Sequence, residues 1–140
     1  MTEGILAGRT ALVTGSVDGL GLAMARTLAS AGAAVVLTGI DGQERGDNVA
    51  RVLGEETGVS VRYLPANLTD PDAVRALVDS AGPIDILINN AVVRHFAPIV
   101  DFPLEKWNEA LAVNLTAALL ATQRVLPGMR ARDYGRIINM

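Results

Sequence analysis

The residues Thr14-Gly15-Ser16-Val17-Asp18-Gly19-Leu20-Gly21 carry the clearest chemical signal in the chain. They lie between a short apolar run, Ala11-Leu12-Val13, and the segment Leu22 to Leu28, where apolar residues return at helical spacing. This is the pattern of a strand-to-helix turn. The first N–H groups of a helix have no partner within it and the helix dipole favours negative charge there, so such a turn can hold a phosphate. Gly15 supplies backbone angles closed to other residues, Gly19 lets the main chain approach a ligand, and Gly21 lets the helix pack closely on its strand. The spacing is G-x-x-x-G-x-G; a glycine-rich helix entry without a ligand is the competing reading.

Further polar residues stand where loops should follow strands. Asp41 closes Thr38-Gly39-Ile40-Asp41 after an apolar run, and an acid at that place bonds a ribose 2′-OH, whereas an arginine would meet a 2′-phosphate. No basic residue occurs before Arg45, which favours NAD; Asp41 can equally be a solvated loop residue. Asn67 can bond an adenine edge or serve a turn. Asn89-Asn90-Ala91 puts two adjacent amides at a sheet edge, where every polar atom needs a partner, which points to a site. Asn114 interrupts an apolar helix face and is either a site residue or a structural hydrogen-bonding group. Arg94 can grip a carboxylate with two N–H groups or lie on the surface. His95, the only histidine, is a loop residue sooner than an acid or base, and with no cysteine present it makes no metal site.

These residues need a scaffold, and the hydrophobic pattern supplies one. Strands are expected at Thr10 to Thr14, Ala34 to Thr38, Val61 to Leu64, Ile84 to Ile88 (interrupted by Asp85) and from Arg136 to Met140. Helices are expected at Leu20 to Ala31 with Gly32 as its cap, Gln43 to Glu56 despite Gly46 and Gly54, and from the Thr69-Asp70-Pro71-Asp72 start to about Ser80. A longer helix begins at Leu104 and carries Trp107, Leu111, Leu115, Ala118 and Thr122 at three- and four-residue spacing, with a bend or break at Pro127-Gly128. That stripe is either core or a subunit surface. The order βαβαβαβαβ defines an α/β fold, a doubly wound parallel sheet of the Rossmann type, within one domain over residues 1–140. Ligands of such sheets sit beyond the carboxyl ends of the strands, near the point where strand order reverses.

Composition narrows the partners. Of 140 residues, 50% are apolar and 19% charged, a globular balance, and the net charge of -3 with no basic cluster argues against nucleic acid and anionic membranes. The absence of cysteine excludes disulfide, thiolate and zinc-thiolate chemistry. The start, Met1 to Arg9, lacks a long apolar core, and no run approaches the roughly 18 uninterrupted apolar residues of a spanning helix, so a cytoplasmic protein is expected.

Taken together, Thr-Gly-x-x-x-Gly-x-Gly, Asn-Asn-Ala, the helix containing Val-Asn-Leu, and Gly-Arg-Ile-Ile-Asn resemble the N-terminal part of the short-chain dehydrogenase/reductase family over essentially the whole chain. Val-Val-Leu-Thr-Gly-Ile, Arg94-His95 to Asp101-Phe102-Pro103, Glu105-Lys106-Trp107 and Leu126-Pro127-Gly128-Met129 are similar to its bacterial D-3-hydroxybutyrate dehydrogenase branch. The resemblance implies that Gly15, Ser16, Asp18, Gly19, Leu20 and Gly21 form the pyrophosphate side, that Ile40 packs near the adenosine ribose, and that Asn67 and Leu68 meet the adenine. It implies that Asn90 and Ala91 line the cofactor and that Asn114 supports a proton-relay water. Arg94 takes the place of a substrate-contacting glutamine.

Four departures accompany it. Val92 follows Asn-Asn-Ala where glycine is expected, Asn67 replaces an aspartate, and the helix before Gly82 is about four residues, or roughly one turn, short. The catalytic serine and Tyr-x-x-x-Lys of the family are not among these residues, and Tyr134 has no lysine four positions on. The resemblance therefore implies an NAD-dependent oxidoreductase acting on a small hydroxy acid, such as 3-hydroxybutyrate, and a homo-oligomer when complete. The chain itself is expected to end at the fifth strand of the family fold and to be inactive alone. A non-catalytic nucleotide-binding or oligomerisation module is the alternative.

Overall fold

The computed structural model describes residues 4–140; Met1, Thr2 and Glu3, part of the N-terminal stretch considered above, lie outside the described residues. Five strands, β1 (Thr10–Val13), β2 (Ala34–Leu37), β3 (Val61–Tyr63), β4 (Ile86–Asn89) and β5 (Arg136–Asn139), form one parallel sheet in the order β3-β2-β1-β4-β5. The helices are α1 (Gly19–Ser30), α2 (Gln43–Thr57), α3 (Pro71–Ala81), α4 (Leu104–Leu111) and α5 (Ala117–Ala131). The strand order reverses between β1 and β4, which opens the crevice expected of a doubly wound sheet.

Side-chain alternation along the strands builds two cores, one on each face. Ala11, Val13, Val35, Leu37, Ile86 and Ile88 point to the face covered by α1 and α2, where Ala25, Ala29, Ala50 and Leu53 meet them. Leu12, Val36 and Leu87 point to the other face, against Val74, Leu77 and Val78 of α3 and Ala117, Ala121, Val125 and Met129 of α5. A one-residue slip of β1 would exchange these sets, so burial on both faces fixes the register. Asp85 lies just before β4 and does not interrupt it. Its carboxylate accepts the Thr10 N–H at 3.0 Å and so aligns β1 with β4 from below.

Local signals act as expected in three places. Asp70 caps α3, accepting the Asp72 N–H at 2.9 Å, and Pro71 fills the first helical position. Gly32 ends α1 with φ +100°. Gly46 lies within α2 all the same; a Cβ there would fall 2.0 Å from the Tyr63 ring, so its absence is what lets α2 settle onto β3.

The long helix departs from expectation twice. It runs through Pro127 to Ala131, because Val125 and Met129 are buried on either side of the proline and hold the last turns against α3. The irregularity lies earlier, where Ala112–Thr116 forms one π-helical turn between α4 and α5. Trp107, Leu111 and Leu115, read as possible core, are exposed, since the buried face of α5 is that of Ala117 and Ala121. The 28 residues Leu104–Ala131 are long enough to cross a membrane, and an 18-residue stretch within them reaches a mean hydropathy of 1.2. In this fold one side of that helix forms a wall of the second core.

Candidate functional site

A cleft of about 440 Å³ opens beyond the carboxyl ends of β1, β2 and β4. Its floor is the glycine turn from Gly15 to Gly21; one end is made by Ile40, Asp41, Asn67 and Leu68, and the other by Val92, Val93, Arg94 and Glu109. The turn has the geometry the glycines predict. Gly15 and Gly19 take φ +61° and +55°, and a Cβ on Gly21 would stand 2.0 Å from the Gly15 carbonyl oxygen. Asp18 precedes α1 without its side chain capping the helix, leaving the first N–H groups of that helix for an anion.

Ser16 stands apart from its neighbours. It is fully buried; its hydroxyl donates to the Val13 carbonyl at 2.7 Å and accepts the Thr38 N–H at 3.0 Å, while its own N–H donates to the Thr38 carbonyl. The serine therefore ties the glycine turn to the end of β2, and its hydroxyl does not reach the cleft. Sequence spacing does not distinguish this from ligand contact, because both place a small hydroxyl in the turn.

Asn90 and Thr14 tie the turn to β4. Thr14 Oγ1 accepts the N–H groups of Asn90 and Ala91, both at 2.9 Å, and Asn90 Nδ2 lies 3.1 Å from the carbonyls of Thr14 and Gly15. The Asn90 side chain is thus a strut beneath the cleft as well as part of its wall. Asn89 reaches the other way, donating to Asn139 Oδ1 at 2.8 Å across the β4–β5 edge.

Asn114 sits at the centre of the π-helical turn and holds Val93 through two hydrogen bonds. It borders a smaller cavity of about 90 Å³ behind the cleft, with Asn89, Asn90 and Asn139. Leu68, Asn90, Ala91, Val92 and Val113 separate the two spaces and line both. Val92 is 52% exposed, and its branched side chain stands at the boundary of the two spaces.

At the far end of the second strand, Ile40 is 86% exposed and projects over the cleft. Asp41 is not a free acid: its Oδ1 lies 2.5 Å from Arg45 Nη1. Tyr63 donates its hydroxyl proton to the Asp41 carbonyl at 2.8 Å, and burial, reinforced by the nearby Asp41 charge, pushes the Tyr63 phenol above its ordinary value. Asn67 uses its Oδ1 to accept from the N–H and hydroxyl of Thr69, which leaves its NH₂ for the cleft. Arg45, which the sequence only marks as the first basic residue after β2, lies outside the cleft lining but pairs with Asp41 and Asp18, both of which line it, a contact that sequence reasoning missed. Its four-residue separation from Asp41 on a helix start was the available signal.

Opposite, Arg94 is exposed at the cleft mouth, and among the described residues no carboxylate pairs with it. His95 Nε2 is buried 2.8 Å from Glu109 Oε2 of α4 without making a hydrogen bond, and no group of three or more metal-binding side chains occurs among the described residues.

The strand order, the glycine turn and the cleft at the reversal point together define a nucleotide-binding protein of the doubly wound class. The comparisons give the family. The short chain dehydrogenase family model matches residues 9–140, and the chain belongs to that family of oxidoreductases. It is 40% identical to D-beta-hydroxybutyrate dehydrogenase of Cupriavidus necator, covering 97% of this chain and 54% of that protein. It is 36% identical to 5-keto-D-gluconate 5-reductase of Escherichia coli, over 96% of this chain and 54% of that one. The structure of L-sorbose reductase from Gluconobacter frateurii, complexed with NADPH and L-sorbose, superposes with a TM-score of 0.90 at 36% identity, over 98% of this chain and 53% of that chain. The chain spans about half the length of the curated relatives it matches.

Proposed function

We propose that residues 1–140 are the dinucleotide-binding part of an NAD-dependent oxidoreductase that interconverts a small hydroxy acid, 3-hydroxybutyrate, and its oxo acid. The observation that carries this reading is the continuity of the cleft, which runs from Ile40, Asp41 and Asn67 over the glycine turn to Arg94. An adenosine fits the first end, a pyrophosphate the N–H groups of the turn, and a nicotinamide the segment Asn90 to Val93. The residues present suit the group, since a side chain at Gly21 would collide with the turn itself. When bound, the nicotinamide supplies hydride exchange with the carbinol carbon of the substrate.

This chain's own residues bind and orient. Gly15, Gly19, Leu20 and Gly21 form the pyrophosphate wall, Leu68 and Asn67 the adenine end, and Asn90 and Ala91 the nicotinamide end; Ser16 and Asn114 hold the loops that do so. Arg94 offers a guanidinium to the substrate carboxylate. NAD is favoured because Asp18 and Asp41 face a single arginine at the adenosine lip. The 40% and 41% identities to two D-beta-hydroxybutyrate dehydrogenases, of Cupriavidus necator and Rhizobium meliloti, support the substrate. Residence in the cytoplasm accords with a chain free of cysteine, and a homo-oligomer with the exposed apolar row Leu104, Trp107, Leu111, Leu115 and Leu119.

A specific observation favours the second reading, a nucleotide-binding or oligomerisation module without catalysis, for residues 1–140 taken alone. Tyr134 stacks under Arg9 at 3.5 Å, before β5, at the sheet edge opposite the cleft. It cannot move the alcohol proton. We therefore expect this chain to bind the dinucleotide and the carboxylate without turnover. Titration with NAD followed by 3-hydroxybutyrate tests both: saturable binding, with the hydroxy acid step lost in Arg94→Ala, supports the assignment. Failure of both ligands to bind contradicts it, and NAD reduction by the purified chain contradicts the second reading.

A further inference from the structure

We propose that the Asp18–Gly19 peptide bond is a site of spontaneous isoaspartate formation, and that this modification disarms the anion-binding turn; the second half rests on the nucleotide-binding reading above. The chain has two Asp-Gly pairs, Asp18-Gly19 and Asp41-Gly42, and no Asn-Gly pair. Glycine lacks a Cβ and so leaves its own nitrogen unshielded toward the preceding side chain. Asp18 and Asp41 both line the cleft, and each pair leads into a helix, so neither the sequence nor the helix start separates them.

What separates them is the freedom of the carboxyl. Asp18 has an extended backbone, φ -151° and ψ -176°, and its side chain does not cap α1. Its one charged contact, with Arg45 at 3.2 Å, joins side chains 78% and 60% exposed, so it is solvated, screened by salt and easily opened. Gly19 takes φ +55° with open space where a Cβ would stand, and its N–H has no acceptor among the described residues. Asp41 is held instead. Its Oδ1 lies 2.5 Å from Arg45 Nη1, its carbonyl accepts the Tyr63 hydroxyl at 2.8 Å, and its side chain is only 22% exposed. The Asp18 carboxyl can turn onto the next nitrogen, whereas that of Asp41 must first leave Arg45.

The chemistry needs only water. The Gly19 nitrogen bonds to Asp18 Cγ, and the protonated carboxyl loses its hydroxyl together with the Gly19 proton as water, which closes a cyclic imide. Water then adds at the original main-chain carbonyl carbon and breaks the bond from that carbon to nitrogen. The chain now runs through Cβ and Cγ, one methylene longer, and the former carbonyl is a free carboxylate; net charge is unchanged and nothing is oxidised or reduced. In the unmodified chain that carbonyl accepts the Leu22 N–H at 3.1 Å and so begins α1. Conversion moves a negative charge from an exposed side chain to the helix start and lengthens the turn between Gly15 and Gly21. A carboxylate there takes up the free N–H groups and repels a phosphate from the place the turn keeps for it.

Ageing of the purified 140-residue chain at neutral pH, with isoaspartate quantified at each site by peptide mapping, tests this. In the folded chain isoaspartate accumulates at Asp18 at least about fivefold faster than at Asp41, and in urea the two rates converge to within about twofold. Folded-state rates within about twofold of each other, a faster rate at Asp41, or a ratio that persists in urea overturns the inference. Asp18→Glu, whose longer side chain closes the imide poorly, loses most of the isoaspartate read by enzymatic methyl transfer while Asp41 serves as the reference within the same chain; an undiminished signal also overturns it. The modified fraction, separated by ion exchange, binds NADH about tenfold or more weakly than the unmodified fraction, and equal binding overturns the second half. An unmodified chain that binds no NADH overturns the nucleotide-binding reading and with it the second half, while the ratio of rates still decides the first.

Discussion

Asn114 and Val93 exchange two hydrogen bonds: the Val93 N–H donates to Asn114 Oδ1 at 2.8 Å, and Asn114 Nδ2 donates to the Val93 carbonyl at 3.0 Å. One side-chain amide thus does for Val93 what a neighbouring strand would do, satisfying both main-chain polar groups. It fastens the segment after β4 to the π-helical turn and so fixes the wall made by Val92, Val93 and Arg94.

Replacing Asn114 by alanine should loosen that wall more than it unfolds the protein. The pair is exposed, so the stability cost is about 1 kcal/mol, while the affinity for NADH falls by about tenfold because the wall must be ordered on binding. Hydrogen exchange at the Val93 amide, read alongside urea unfolding, separates the two effects. Protection at Val93 equal to that of the unaltered chain would contradict the role given to Asn114.

Gly21→Ala should fail differently. The added Cβ would lie 2.0 Å from the Gly15 carbonyl oxygen and 2.7 Å from Asn90 Nδ2, and the first is main chain that has nowhere to retreat without moving the turn. A destabilisation of about 1–3 kcal/mol is expected in denaturant unfolding, with dinucleotide affinity reduced by more than about a hundredfold. Binding within about twofold of the unaltered chain would show that the turn does not hold the phosphates.

Tyr63 supports the Asp41 end of the cleft from beneath, through its hydroxyl to Asp41 and its ring under Gly46. Because burial and then the Asp41 charge raise its ionisation above the ordinary 10.0, the folded state favours the protonated phenol. Its contribution is intact below pH 10.0 and declines as pH rises from there toward the folded-state value. Tyr63→Phe should cost about 1 kcal/mol near neutrality and reduce the alkaline fall in Tm. An alkaline limb unchanged in the variant would count against this assignment.

Asp79 and Arg124 tie α3 to α5 with two contacts, at 2.6 and 2.8 Å. The hydrogen bond from Arg124 lowers the Asp79 carboxyl below its ordinary 3.8. Folded-state ionisation is thereby favoured, so the stabilising effect is present above pH 3.8 and lost as the pH falls through the lower folded-state value. Asp79→Asn should flatten the acid limb of a Tm-against-pH curve measured between about pH 2 and 5, with little change in NADH affinity, since the pair is remote from the cleft. An acid limb as steep as that of the unaltered chain would contradict this.

Much of the frame is legible in the sequence because it depends on local signals that agree. The apolar strands, the Asp70-Pro71 cap and the glycine turn each fix their own element, and their alternation fixes a parallel sheet. What the sequence hides is contact between distant loops. Ser16 turns from the cleft because Thr38, 22 residues on, claims its hydroxyl. Asp41, read equally as a ribose-binding acid or a solvated loop residue, meets Arg45 once α2 starts, and Gly46 is needed in α2 because the Tyr63 ring fills the space beside it. Pro127 stays helical because Val125 and Met129 are already buried in the second core. In each case tertiary packing decides between two locally plausible outcomes.

The central claim is that residues 1–140 hold a nicotinamide dinucleotide across the cleft from Asp41 to Arg94. The most direct measurement is a fluorescence titration of the purified chain with NADH, paired with the same titration of Gly21→Ala. Saturable binding of one NADH per chain at roughly micromolar to submillimolar Kd, lost in the variant, is the predicted result. A folded chain showing no saturable binding at millimolar NADH, or equal binding by Gly21→Ala, would contradict it.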